Sequence, residues 1–76
     1  MKLTEEEKII LENTDKRYKY IVRDESDLLV LFARKPKKEK SIGEWRAKYC
    51  GECWFSAFNH LFQGIQWEDE EPYKFR

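Results

Sequence analysis

The two cysteines of the chain and its single histidine all fall within one short stretch, "CGECWFSAFNH", running from Cys50 to His60. Cysteines spaced C-x2-C can place two thiolates on one Zn2+, whose structural sites take four Cys or His ligands in a tetrahedron. Cys50, Cys53 and His60 make three, so a fourth ligand must come from the carboxylates at 68–71 or from a second chain. A redox reading of the same spacing needs a βαβ setting with the first Cys at a helix N-terminus. The third reading is a turn. Gly51 permits a sharp bend, and the thiols are then small packing groups. The sequence favours the turn, with zinc as the alternative. His60 as a general base would need a nucleophile or an orienting carboxylate. No phosphate loop, nucleophile elbow or H-E-x-x-H pattern places one, so the chain reads as a non-enzyme without a cofactor.

A second chemistry lies in the middle of the chain. Lysine, arginine, aspartate and glutamate balance to a formal net charge of zero, which argues against a general nucleic-acid coat. The distribution is uneven. Residues 34–48 carry seven basic and two acidic groups, net +5, against net −2 before them and net −3 after. Arg34, Lys35, Lys37, Lys38, Lys40, Arg46 and Lys48 can track phosphates, with Tyr18, Tyr20 or Trp45 as stacking faces. The plainer reading is a solvated connector. "WEDEEPY" near the C-terminus has too few consecutive acids to imitate a nucleic acid and reads as solvated.

The elements that must position these groups follow from periodicity. Thr4 and Glu7 form an S/T-x-x-E capping box with Glu5 and Glu6 in the first turn, which predicts a helix over about 4–12 that closes near Asn13. "RYKYIVR" (17–23) alternates, with Tyr18, Tyr20 and Val22 on one face and Lys19, Ile21 and Arg23 on the other. "DESD" is a four-residue turn, and "LLVLFA" (28–33) is uniformly apolar, as a central strand is. The two make an antiparallel hairpin. Pro36 ends the second strand, and residues 34–40 form the connector. Residues 41–49 read as a third strand with an irregularity at Gly43. From Trp54 the period changes. Trp54, Phe55, Phe58, Leu61, Phe62 and Ile65 fit one helical stripe, with Ser56, Asn59, His60 and Gln63 opposite and Gly64 past the end. The tail ends as a short strand or an extended segment packed back on the domain. The predicted fold is α+β: a single domain over 1–76, in which a three-stranded antiparallel sheet carries an N-terminal and a C-terminal helix on one face, α-β-β-β-α plus a short tail. Double-stranded-RNA-binding domains share this order, but "CWFSAF" stands where their last helix starts basic.

Twelve of 76 residues are aromatic (three Trp, four Tyr, five Phe). That is more than so small a core hides, and an exposed aromatic patch marks an interface with another protein. The longest apolar run, residues 28–33, is far short of a membrane span. The opening "MKLTEEEK" turns acidic before a leader could form. The expectation is a cytoplasmic protein with reduced thiols.

The stretches "LTEEEKIILENTDKRYKYIVRD" and "FNHLFQGIQWEDEEPYKF" resemble small uncharacterised phage and prophage proteins of Gram-positive bacteria, a group with no assigned activity. The likeness covers about half the chain and leaves out Cys50–Cys53. It implies a short accessory protein made in the cytoplasm of an infected or lysogenic host. The expected function is therefore non-enzymatic binding, with another protein as partner. A nucleic acid held by residues 34–48 is the first alternative, and a small zinc module built on Cys50, Cys53 and His60 the second. On the turn reading, native mass spectrometry gives one mass with and without chelator; loss of a zinc mass on chelation would establish the metal reading instead.

Overall fold

The computed structural model describes residues 2–48 and 52–76, with the side chains at 52 and 53 outside that description. Helix α1 spans Glu5–Glu12 and starts on the predicted capping box. Thr4 Oγ1 accepts from the Glu7 amide at 3.1 Å, and Glu7 Oε1 accepts from the Thr4 amide at 3.0 Å. Leu3 and Leu11 are buried while Ile9 points away from the core. Asn13 closes the helix, its side-chain amide donating to the Ile9 carbonyl at 2.8 Å.

Strands β1 (Tyr20–Arg23) and β2 (Leu29–Phe32) form the expected hairpin, with Ile21 opposite Leu31 and Val22 opposite Val30. The 24–27 turn is closed by the Asp27 amide donating to the Asp24 carbonyl at 2.9 Å. Asp27 takes a φ of 71°, in the left-handed region that Asp tolerates better than most residues. Strand β2 is buried along its whole length, as a central strand should be. The sheet is wider than three strands. Strand β5 (Glu52–Trp54) pairs with β2, and β6 (Tyr73–Lys74), from the tail, pairs with β1, giving the antiparallel order β5-β2-β1-β6.

The expected third strand shrinks to β4 (Glu44–Arg46) and leaves the main sheet. It pairs instead with β3 (Lys37–Glu39), cut from the segment read as a connector. The cause is Gly43. Its φ of 67° turns the chain back, and a Cβ there would stand 2.7 Å from Glu25 Oε1, so the predicted irregularity is the hairpin turn itself. Trp45 then pins this hairpin to the main sheet. Its indole N–H donates to the Arg23 carbonyl at 3.2 Å, and its amide donates to Asp24 Oδ1 at 3.2 Å. Both faces of the sheet are thereby covered, not one. Leu3, Leu11, Ile21, Leu29, Leu31, Phe62 and Ile65 form the core under α1. Val22, Val30, Phe32 and Trp45 form the core under the β3–β4 hairpin.

The expected C-terminal helix does not form. Only a 3-10 turn, Ser56–Phe58, is helical. The amides of Phe58, Asn59, Leu61 and Ile65 each donate three residues back, to Phe55, Ser56, Phe58 and Phe62, so the segment is a run of tight turns. Arg23 explains why. It is 2% exposed and reaches from β1 into this segment. Its Nε donates to the Ile65 carbonyl at 2.8 Å, Nη1 to that of Asn59 at 3.2 Å, and Nη2 to those of Leu61 and Phe62 at 2.8 and 3.2 Å. A helix aligns its carbonyls along the axis toward amides four residues on, whereas these carbonyls converge sideways on one guanidinium, and the backbone follows them out of helical geometry. On the other side, the buried Glu7 Oε2 accepts from the Phe62 amide at 2.7 Å. The Leu61–Phe62 peptide unit is thus held at its oxygen by a cation and at its nitrogen by an anion. This explains how Phe62, a bulky residue, keeps a φ of 59°, a conformation that costs on the order of 1–3 kcal/mol and persists only where its surroundings impose it. The stripe of Phe55, Phe58, Phe62 and Ile65 still packs against the core, because turns of about three residues bring the same side chains round as a helix does. Gly64 serves a different end from a helix stop. A Cβ there would lie 2.2 Å from the Lys2 carbonyl oxygen.

Removing the guanidinium takes the donor from the turned carbonyls of Asn59, Leu61 and Ile65, while that of Phe62 keeps the Ile65 amide. Arg23→Met is expected to lower the unfolding free energy by about 3–5 kcal/mol, read as a reduced urea midpoint. Glu7→Gln keeps the volume and one amide-accepting oxygen, and is expected to lose about half as much. A loss below about 1 kcal/mol for Arg23→Met would show that the segment holds its turns without the arginine.

Candidate functional site

The structure splits the predicted basic segment. Arg34, Lys35, Lys37, Arg46 and Lys48 line one open groove of about 780 Å3 beside the β3–β4 hairpin, with Glu39 as its one carboxylate. The ladder register sets Lys37 directly opposite Arg46 and Glu39 opposite Glu44. Like charges facing each other across a strand pair oppose pairing. Arg46 meets Glu44 at 3.4 Å and Lys35 meets Glu71 at 3.6 Å, but these are exposed pairs of little strength. Among the described residues, Arg34, Lys37 and Lys48 make no ion pair.

Lys38 leaves this set. Strand alternation turns it to the other side of β3, where its ammonium lies 4.5 Å from the Trp67 ring centre and 5.2 Å from that of Trp45. It also donates to the Trp67 carbonyl. Trp67 meets Trp45 edge to face at 6.4 Å, so Lys38 clamps the tail onto the hairpin. Lys40 lies in the turn after β3 and is not among the groove-lining residues. The three predicted stacking faces are also taken. Trp45 is buried, and Tyr20 and Tyr18 pack on the second and first cores. Trp54 is the aromatic that sequence reasoning missed as a surface residue. Assigned to a helical stripe, it sits on edge strand β5 opposite Val30 and is 53% exposed.

A second surface lies between α1 and the 3-10 turn. Ile9, Ile10, Asn13, Thr14, Phe55 and Phe58 line a shallow cleft of about 400 Å3. Phe55 and Phe58 stack with ring centres 4.7 Å apart, and Ile9 is 58% exposed. Helical spacing puts Glu5, Glu6, Glu12 and Asn13 around Ile9. With Glu5 ion-paired to Lys8 at 3.5 Å, the surroundings of Ile9 carry three carboxylates against one ammonium, a net acidic border. Of the twelve aromatics, Phe32, Trp45 and Phe62 are buried, and the rest that are described are half-buried or exposed.

The Cys/His stretch fares differently. Cys50 and the side chain of Cys53 lie outside the described residues, as does Gly51. His60 is exposed in the turn after the 3-10 element, where its carbonyl accepts from the Gln63 side chain at 3.4 Å. Of the carboxylates considered as a fourth ligand, Asp69 accepts from Lys2 at 2.8 Å and from the Gln66 amide at 3.1 Å. Among the described residues, no group of three or more His, Cys, Asp or Glu side chains can hold a metal ion, and no helix is long and apolar enough to cross a membrane.

Lys38→Met keeps the aliphatic stem and deletes the ammonium. It is expected to cost about 1–2 kcal/mol and to shift tryptophan emission to the red as Trp67 loosens, whereas Lys40→Met is expected to change neither. Comparison with protein-family models, with curated proteins and with solved structures finds no match to this chain.

Proposed function

We propose that this chain is a non-enzymatic protein-binding module, a cytoplasmic accessory protein of prophage origin. Its binding site is the cleft between α1 and the 3-10 turn, and its partner presents a basic, amphipathic segment. The observation that carries this reading is Ile9, more than half exposed on a short helix beside the stacked Phe55 and Phe58. A helix of eight residues is marginal alone and is held by docking its apolar face. Leu11 and Ile10 provide that face, with Leu3 buried just before the cap, and Ile9 adds nothing to it. An apolar side chain left at a cleft with two half-buried aromatic rings offers the contact that partner helices use, an apolar anchor set within a polar rim. The rim here is acidic, which selects lysine and arginine around the partner's anchors.

An amphipathic Leu/Lys peptide is the direct probe. Titrated into isotope-labelled protein, it is expected to shift the amide signals of residues 9–14 and 55–58. Ile9→Asp should weaken binding about tenfold or more while lowering the urea midpoint only slightly, through its like-charge contacts with Glu5, Glu6 and Glu12, because Ile9 is outside both cores. Shifts spread evenly over the molecule, or an Ile9→Asp variant that binds as well as the parent, would overturn the reading.

A further inference from the structure

The groove beside the β3–β4 hairpin has a property that the fold does not require. Five cations surround it with one carboxylate, net +4, in a chain whose formal net charge is zero. Two of them, Lys37 and Arg46, are held face to face by the ladder register. Such a pair weakens the hairpin, and Trp45, not these residues, pins the hairpin to the main sheet. A local rule broken without structural gain is where a ligand is expected. The backbone here is also fixed. Pro36 is fully buried between Lys35 and Lys37, and Lys38 is locked over Trp67, so the cations project from anchored positions.

We infer that this groove binds the phosphate backbone of single-stranded nucleic acid, with Trp54 as a face on which a base stacks. Opposing lysine and arginine side chains along a groove track successive phosphates. A duplex is the poorer fit. The one α-helix among the described residues carries Glu5, Glu6 and Glu7 in its first turn and would be repelled from a major groove. Trp54 supplies what a single strand adds. It is opposite Val30, which puts it on the sheet face where Val30 and Phe32 form the second core and where Ala47, a groove residue, packs. It is exposed on the side of the sheet that carries the cationic groove. This inference is independent of the cleft on α1, which lies against the opposite face.

Fluorescence anisotropy with a labelled oligothymidylate and a hairpin duplex of equal charge tests it. The single strand is expected to bind more tightly. Its affinity should fall about 100-fold between about 50 and 200 mM salt, from roughly five phosphate contacts at about 0.7 counterions each. Lys37→Glu with Arg46→Glu should abolish binding, and Trp54→Ala should weaken the single strand about tenfold or more while leaving salt dependence unchanged. Lys40→Glu, outside the groove, should have little effect. The Lys37→Ala/Arg46→Ala pair removes the like-charge contact, so its thermal unfolding should be unchanged or raised while its binding is also lost, which keeps the loss attributable to the groove. No binding at low salt, equal affinity for the duplex, indifference to the charge reversals, or full binding by the Trp54→Ala variant would each overturn it.

Discussion

Arg23 is a buried cation whose nearest carboxylate, Asp27 at 3.3 Å, is itself largely exposed. Its charge is met chiefly by carbonyl dipoles, those of Asp27, Asn59, Leu61, Phe62 and Ile65. An isolated buried charge is prohibitive, and only near-complete hydrogen bonding makes it tolerable. The planar fork of the guanidinium suits this use, since a lysine ammonium has three donors at one point. The consequence runs outward. Carbonyls of Asn59, Leu61, Phe62 and Ile65 can converge on one group only if the 59–65 backbone leaves helical geometry, and that departure places Phe62 and Ile65 in the core. Glu7 completes the arrangement from α1, so helix, sheet and irregular segment meet at one peptide unit. Every buried side-chain nitrogen and oxygen among the described residues has a partner, which is the condition under which a polar network of this kind stabilises.

The same device recurs at the C-terminus. Arg76 donates to the carbonyls of Leu11, Asp15 and Tyr18 at 2.7–2.9 Å, which closes the end of α1 and fastens the tail after β6. A small chain with short strands has little apolar surface to spend on irregular segments. Arginine and lysine here act as tethers for backbone oxygens: Arg23 for the turns, Arg76 for the tail, Lys38 for Trp67. Several of the chain's cations are therefore architectural. The groove beside the β3–β4 hairpin stands apart, because its Arg34, Lys37 and Lys48 serve no such tether among the described residues.

Layering decides what remains for binding. The β3–β4 hairpin and Trp67 cover one face of the sheet, and α1 with the turns covers the other. Aromatics left partly outside gather where elements end: Phe55 and Phe58 beside α1, Trp54 at the β5 edge. The apolar cleft and the cationic groove are consequently on opposite sides of the sheet, with different chemistry on each.

Local signals in the sequence determined the capping box and extent of α1, the first hairpin with its central strand, an irregularity at Gly43 and a tail packed back on the domain as a short strand or extended segment. Each depends on neighbours within a short span of chain, so each was legible. The basic cluster was legible as a composition, and only the ladder register separated Lys38 from Lys37 and Arg46. The pairing of β3 with β4, the placement of β5 at the sheet edge and the absence of the second helix were decided by tertiary structure alone. From Trp54 to Ile65 the apolar period is helical, and nothing local contradicts it. What overrode it was one arginine on a strand far earlier in the chain, whose guanidinium draws the carbonyls of this segment out of the helical pattern. A side chain that satisfies distant backbone leaves no trace in the periodicity of the segment it reshapes.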